Sequence, residues 1–291
     1  MTKRVVLIGH PVAHSFSAQM QQAAFDALGI DVVYELLDTS AAALQETVET
    51  LRGDDFLGAN VTIPHKERVA TFVDRKTEDA SATGAVNCVT KEGKRLVGHN
   101  TDVNAFRVSI DALVGKQKMP RAAVVLGAGG GARAAVHALI TMGFQRVIVF
   151  NRHLHRAEGL VKHFGRSASH MELRAMPWHE SVIESELSRT RVLVNATSVG
   201  LASDDSPIPG ELLAPDLLVM DMIYNPPETR LLRESKAAGA AGVMNGETML
   251  LQQGMDAFQL WTGQQAPADV MRQKLSEARE AGTGQSPAEM A

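Results

Sequence analysis

In "VVLGAGGGARAA", Gly127, Ala128, Gly129, Gly130 and Gly131 separate a strand-like apolar run from a helix-like one. Glycines there permit a tight turn and close backbone approach, so a pyrophosphate can sit on the helix N-terminus. With Ala132 the stretch reads as a G-x-G-x-x-A variant of the dinucleotide fingerprint, and a second strand follows roughly 20 residues on, as that fingerprint requires. That second strand ends "VIVFNRHLHR", where an NAD-binding unit usually sets an acid on the adenosine ribose. Asn151 and Arg152 stand there instead, with Arg156 one helical turn later. Guanidiniums fork onto phosphate oxygens, so the 2′-phosphate of NADP is the expected ligand rather than the bare ribose of NAD. Further back, "LGANVTIPHKE" closes a short apolar run in Thr-Ile-Pro and then presents Lys66, with no acid beside it but Glu67. An ammonium at the end of a strand can stabilise a developing oxyanion or transfer a proton. Alone it reads as solvated surface.

These residues need elements to hold them. "RVVLIG", "VVYELL" and "FLGANVTI" are strand-like, and "SAQMQQAAFDALG" and "TSAAALQETVETLRG" between them carry apolar residues at helical spacing. "VNCVTKEGKRLVGHN" predicts a hairpin around Glu92-Gly93. A second unit follows the polar connector "VGKQKMPR". Its strands are "AAVVLG", "RVIVF", "RVLVNAT", "LLVMDM" and "AGVM", alternating with helices such as "GGARAAVHALITMG", "LHRAEGLVKHFG" and "TRLLRESKAAGA". Repeated strand-helix-strand order implies a parallel, doubly wound sheet of Rossmann type with helices on both faces. "ETMLLQQGMDAFQLWTG" and "PADVMRQKLSEARE" predict closing helices that join one of these units, and "AGTGQSPAEMA" a frayed tail.

The bulk composition limits the partners. With 291 residues, 45% apolar and 21% charged, the chain fits two ordinary globular α/β domains. A net charge of −4 and 4% aromatics argue against nucleic acid and anionic membranes as partners. No apolar run approaches the roughly 20 residues that span a bilayer. The single cysteine, Cys88, rules out an internal disulfide, and the chain opens directly on a strand, so a cytoplasmic location is expected.

Several stretches together resemble the shikimate dehydrogenases over about residues 5–265. They are "GHPVAHSFS", "NVTIPHK", "GAVNCV", "GHNTD", "GAGGGAR" with "NRHLHR", "NATSVG", "DMIYNPPETRLL" and "MLLQQGMDAFQLWTG", in the family's order. The resemblance implies a discontinuous substrate domain, residues 1–104 plus about 240–291, with an NADP-binding domain at about 105–239 and an active site in the cleft between them. It implies reversible NADPH-dependent reduction of 3-dehydroshikimate to shikimate in aromatic amino-acid biosynthesis. By the same resemblance Lys66 gains a catalytic partner in Asp102, which would orient it and bond a ring hydroxyl. Ser15, Ser17, Thr62, Asn87, Tyr224 and Gln253 match contacts to the substrate's carboxylate or hydroxyls. Thr197, Met222 and Gly246 join the glycine loop, Asn151, Arg152, His153 and Arg156 as cofactor positions. Ser15 and Ser17 would otherwise read as helix caps.

The chain also departs from the family. Ala18 stands where proline is usual, and Glu247 and Thr248 replace the usual Leu and Gly. His153 takes the place of threonine beside the expected 2′-phosphate. Cofactor affinity is therefore expected to weaken as pH rises through the histidine's titration. A KM for NADPH that stays flat from about pH 6 to about pH 8, once phosphate ionisation is allowed for, would count against this. Ten histidines suggest no metal site: none form H-E-x-x-H, and His153 and His155 are expected on different helix faces. "NATSVG" lacks a G-x-S-x-G elbow, so no hydrolase is expected. Two rivals remain, a quinate/shikimate dehydrogenase of broader specificity and a non-catalytic metabolite-binding relative. A homodimer is left open, with no helix face singled out for it.

Overall fold

The computed structural model describes residues 2–282, which divide into two compact units. One combines the chain up to Asp102 with the chain from Leu250 onward; the other is Val103–Met249. The tail expected over 281–291 lies, from 283 on, outside the described residues.

In the first unit β1 (Lys3–Gly9) lies between β2 (Val32–Asp38) and β3 (Phe56–Val61), parallel to both. Helices α1 (Ser17–Ala27) and α2 (Leu44–Thr50) make the crossovers. Then come α3 (Lys66–Val69), β4 (Arg75–Lys76) and α4 (Glu78–Thr83). The expected hairpin follows as β5 (Cys88–Glu92) and β6 (Arg95–His99), antiparallel to each other, with β5 antiparallel to β3. Strand order is β2-β1-β3-β5-β6-β4. Val6, Ile8, Ala59, Val61, Val89 and Leu96 meet Leu44 and Val48 of α2 and Leu51 just after it in one core. Cys88 is buried in β5, and burial, with the charges of Asp102 and Asp256 behind it, pushes its thiol up, as suits an inert core residue rather than a nucleophile.

His99 closes β6 with Nε2 at 2.8 Å from the Thr90 hydroxyl. Burial, and then the charge of Arg75, holds its pKa below the ordinary value, with Glu92 opposing. A depressed folded pKa means that the unfolded chain binds the proton more tightly. Stability is then full above about pH 6.5 and falls as the pH drops through the folded value. Urea midpoints compared between about pH 7 and pH 5 should fall less for His99→Gln than for the parent chain; equal slopes would rule His99 out.

The second unit begins within α5 (Asp102–Val114), at Val103, and continues β7 (Ala122–Leu126), α6 (Gly130–Thr141), β8 (Arg146–Phe150), α7 (Leu154–Phe164) and β9 (Glu172–Met176). Its second half is α8 (Glu180–Leu187), β10 (Val192–Asn195), a 3-10 turn at Gly210–Leu212, β11 (Leu218–Asp221), α9 (Arg230–Ala237) and β12 (Gly242–Met244). All pairings are parallel in the order β12-β11-β10-β7-β8-β9, the Rossmann order read from its far edge. Side chains alternate between two cores, as strand geometry dictates. Val125, Val147, Val149 and Val194 face α5, α6 and α7, while Val124, Ile148, Phe150 and Val219 face α8 and α9. Because β12 pairs with β11, the second unit runs past residue 239 to Met249.

The described residues end in α10 (Glu247–Thr262) and α11 (Ala268–Gly282). From Leu250 on they complete the first unit: the Phe258 and Phe25 rings are 5.0 Å apart, Gln21 Nε2 donates to the Gly254 carbonyl at 2.9 Å, and Trp261 Nε1 donates to the Val89 carbonyl at 3.0 Å. Among the described residues no helix is long and apolar enough to cross a membrane.

Candidate active site

Lys66 is the first residue of α3, set there by a turn in which the His65 N–H donates to the Thr62 carbonyl at 2.9 Å. Its own carbonyl accepts from Val86 N–H at 2.8 Å, which ties the turn to the segment that carries Asn87. Asp102 opens α5, where a carboxylate meets the positive end of the helix dipole, and its N–H donates to Asn100 Oδ1 at 3.1 Å. The fold brings the two side chains together: Lys66 Nζ donates to Asp102 Oδ2 at 2.8 Å, with side-chain exposures of 17% and 4%. Asn87 Nδ2 holds the other oxygen, Oδ1, at 2.9 Å. One of the three ammonium protons is thus committed to Asp102, leaving two for a ligand oxygen.

Thr101, to which the sequence reading gives no role, closes this cluster. Its hydroxyl accepts from Asn87 Nδ2 at 2.8 Å and donates to the Gln253 carbonyl at 3.1 Å, while its N–H donates to Asn87 Oδ1 at 2.7 Å. Asn60 was missed likewise: it accepts from the Tyr34 hydroxyl at 2.8 Å and donates to the Asn87 carbonyl at 3.2 Å. Both stand in quoted motifs, "GHNTD" and "NVTI", and a buried polar side chain inside such a motif was the available signal. Thr62 is anchored through its N–H on the Ile8 carbonyl at 2.9 Å. Ser17 is the first helical residue of α1, not a residue before it, and Ser15 Oγ accepts from its N–H at 3.3 Å. Ser15, Ser17, Thr62, Lys66, Asn87, Asp102 and Gln253 all belong to the first unit, whereas Tyr224 follows β11 in the second.

The glycine loop lies in the second unit at the end of β7. Gly127 has φ +111°, and a Cβ there would sit 2.8 Å from the Ala196 carbonyl oxygen, so only glycine fits. Gly129 precedes α6, and a Cβ on it would meet nothing within 4 Å. The first N–H groups of any helix lack an intrahelical acceptor, so the start of α6 is a place where a pyrophosphate can be held. Asn151 Nδ2 donates to the His153 carbonyl at 2.9 Å, and Arg152, His153 and Arg156 are exposed where no carboxylate follows β8. Thr197 and Met222 follow the neighbouring strand ends, and Gly246 packs so tightly on the Met222 carbonyl that a Cβ would collide with it. His153 lies before α7, not on it, and its ring centroid is 5.9 Å from that of His155; the expected placement on different helix faces is wrong because the helix begins only at Leu154. No group of three or more metal-ligating side chains occurs among the described residues.

A buried ammonium–carboxylate pair in one unit and a glycine cradle on a parallel sheet in the other are the equipment of a dinucleotide-dependent oxidoreductase. The model of the shikimate dehydrogenase substrate binding domain matches residues 7–89, that of shikimate / quinate 5-dehydrogenase 113–203, and that of the shikimate 5'-dehydrogenase C-terminal domain 246–275. The NADP(+) shikimate dehydrogenase of Methanopyrus kandleri is 40% identical over 95% of this chain and 96% of its own. Shikimate 5-dehydrogenase from Thermus thermophilus, solved with NADP(H) and shikimate, is 39% identical, covers 95% of this chain and 99% of that one, and has a TM-score of 0.82. Quinate dehydrogenase from Corynebacterium glutamicum, solved with NAD, is 29% identical over 95% and 99% of the two chains, with a TM-score of 0.85. This chain belongs to the shikimate dehydrogenase family.

Proposed function

We propose that the protein catalyses the reversible, NADP-dependent interconversion of 3-dehydroshikimate and shikimate in the cytoplasm, with the first unit holding the substrate and the second the cofactor. The observation that carries this reading is the Lys66–Asp102 pair at 2.8 Å, fixed by Asn87. When bound, the cofactor supplies or takes the hydride. Lys66 Nζ donates to the carbonyl oxygen, stabilises the negative charge that grows there, and passes a proton to it. Asp102 orients Nζ and accepts from a ring hydroxyl; Asn87 keeps Asp102 from rotating. Ser15, Ser17, Thr62, Gln253 and Tyr224 take the carboxylate and the remaining hydroxyls. The Gly127–Gly131 loop with Ala128 and Gly130 takes the pyrophosphate, Asn151, Arg152, His153 and Arg156 the adenosine 2′-phosphate, and Thr197, Met222 and Gly246 the nicotinamide end.

The broader quinate/shikimate reading draws on the likeness to the C. glutamicum enzyme. Against its use of NAD stand Arg152 and Arg156, two cations where a ribose-binding acid would be needed. Reduction of NADP and of NAD, each with shikimate and with quinate, decides the matter. Rapid turnover with shikimate and NADP alone is expected. Equal rates with NAD or quinate would move the assignment to the broader enzyme, and tight shikimate binding without turnover would leave a binding protein.

A further inference from the structure

Two neighbouring strands of the second unit end in side chains that turn back on their own loops. Asn195, last in β10, accepts from the N–H of Thr197 at 3.0 Å and from its hydroxyl at 2.7 Å. Asp221, last in β11, accepts from the N–H of Ile223 at 3.1 Å on Oδ1. The two are joined, since Asn195 Nδ2 donates to Asp221 Oδ1 at 3.0 Å, and the Thr229 hydroxyl at the start of α9 donates to Oδ2 at 2.7 Å. Asp221 has 0% exposure. Among the described residues no lysine, arginine or histidine pairs with it; burial pushes its carboxyl up, against the pull of its three donors. Burying an anion without a counter-charge is costly. Shape does not demand the charge, because Asn195 makes the same kind of turn one strand away with a neutral amide.

The position of Asp221 suggests what offsets that charge. In a sheet of this order the adenosine half of a dinucleotide lies beyond β8 and the pyrophosphate on the β7–α6 turn, so the nicotinamide half falls over the ends of β10 and β11. Thr197 and Met222 leave from those two ends, and the Met222 N–H donates to the Asn195 carbonyl at 3.0 Å. An oxidised nicotinamide ring carries a positive charge and a reduced one carries none. We propose that Asp221 sets the preference of the site for the redox state of its cofactor, its buried charge favouring the oxidised, cationic nicotinamide over the reduced one. The proposal rests on the reading of the second unit as the NADP site.

The test is the dissociation constant of NADP+ and of NADPH, measured separately by calorimetry on the full chain and on Asp221→Asn. Asp221→Asn should lose roughly three- to tenfold more affinity for NADP+ than for NADPH, the scale of one unit charge at short range in a partly polar site. Equal losses, or none, would overturn the proposal, because a merely displaced turn weakens both forms alike. Should Asp221→Asn fail to fold by circular dichroism, the exchange Asn195→Asp with Asp221→Asn moves the carboxylate across the same hydrogen bond. A wild-type ratio in the exchanged protein supports the proposal and a lost preference overturns it. A parent chain that binds neither nucleotide removes the site itself, and the proposal with it.

Discussion

Lys66→Ala is expected to keep shikimate binding within about tenfold and to lose roughly 10²–10⁴-fold in kcat, the range that one positioned acid–base group supplies. The Lys66 side chain is 17% exposed, and Asp102 is the one partner of its ammonium among the described residues. Its two remaining protons are available to a developing oxyanion, where stabilisation would appear in the transition state more than in the ground state. Lys66→Arg keeps the charge but replaces a compact donor with a planar fork, so most of the loss should remain. Because the alanine variant strands Asp102, kcat must be referred to folded protein, and Asn87 should hold Asp102 well enough for folding. Steady-state kinetics with calorimetric shikimate binding is the check. A kcat within tenfold of wild type would remove Lys66 from the chemistry.

The largest effect on stability is expected at Glu186, far from any of this chemistry. Arg146 at the start of β8 pairs with it at 2.5 Å and with Glu172 of β9 at 3.0 Å, and Arg189 reaches it at 3.1 Å. Side-chain exposure is 6% for Glu186 and 20% for Arg146. Removing one partner of such a pair leaves the other buried and uncompensated, so Glu186→Ala should cost about 2–4 kcal/mol, with Glu172 retaining part of the pairing. Arg146→Met with Glu186→Leu should recover most of that loss, since apolar replacement of both partners is often neutral. Urea unfolding of the three variants measures it. A single-variant loss under about 0.5 kcal/mol would mean that solvent screens the pair after all.

Much of this architecture is legible in the sequence where one effect dominates. β7, β8, β10 and β11 are buried on both faces and read as unbroken apolar runs ending at glycine or a short polar residue. The elements that escape are those with no room for a period or with a mixed one. α3 has 4 residues and β4 has 2, too few to show any spacing. β9, "ELRAM", is a half-exposed edge strand whose residues favour helices, and its pairing with β8 overrides that preference. α2 keeps only Leu44–Thr50 of the longer helix expected, its ends unwinding into turns. At the site, residue types were readable, but the adjacency of Lys66 and Asp102 came only with the family resemblance and not from their spacing. Lys66 and Asp102 are 36 residues apart, and only the order of β3, β5 and β6 in the sheet makes them neighbours. Asn195 and Asp221 carry no sequence signature of their pairing, which follows from two parallel strands ending level.

The first unit is assembled from both ends of the chain, and this has a consequence on the ribosome. The partners of the Gln21–Gly254 bond are separated by 233 residues and those of Trp261–Val89 by 172. As the N-terminus emerges, β1, β2 and β3 can pair early, but the Phe25 face of α1 stays uncovered until residues from Leu250 on have been made. Val103–Met249, contiguous in sequence, can finish first. Synthesis therefore leaves the older half waiting on the youngest helices. A chain stalled before residue 250 should present a folded sheet with one sticky flank, a natural substrate for a chaperone.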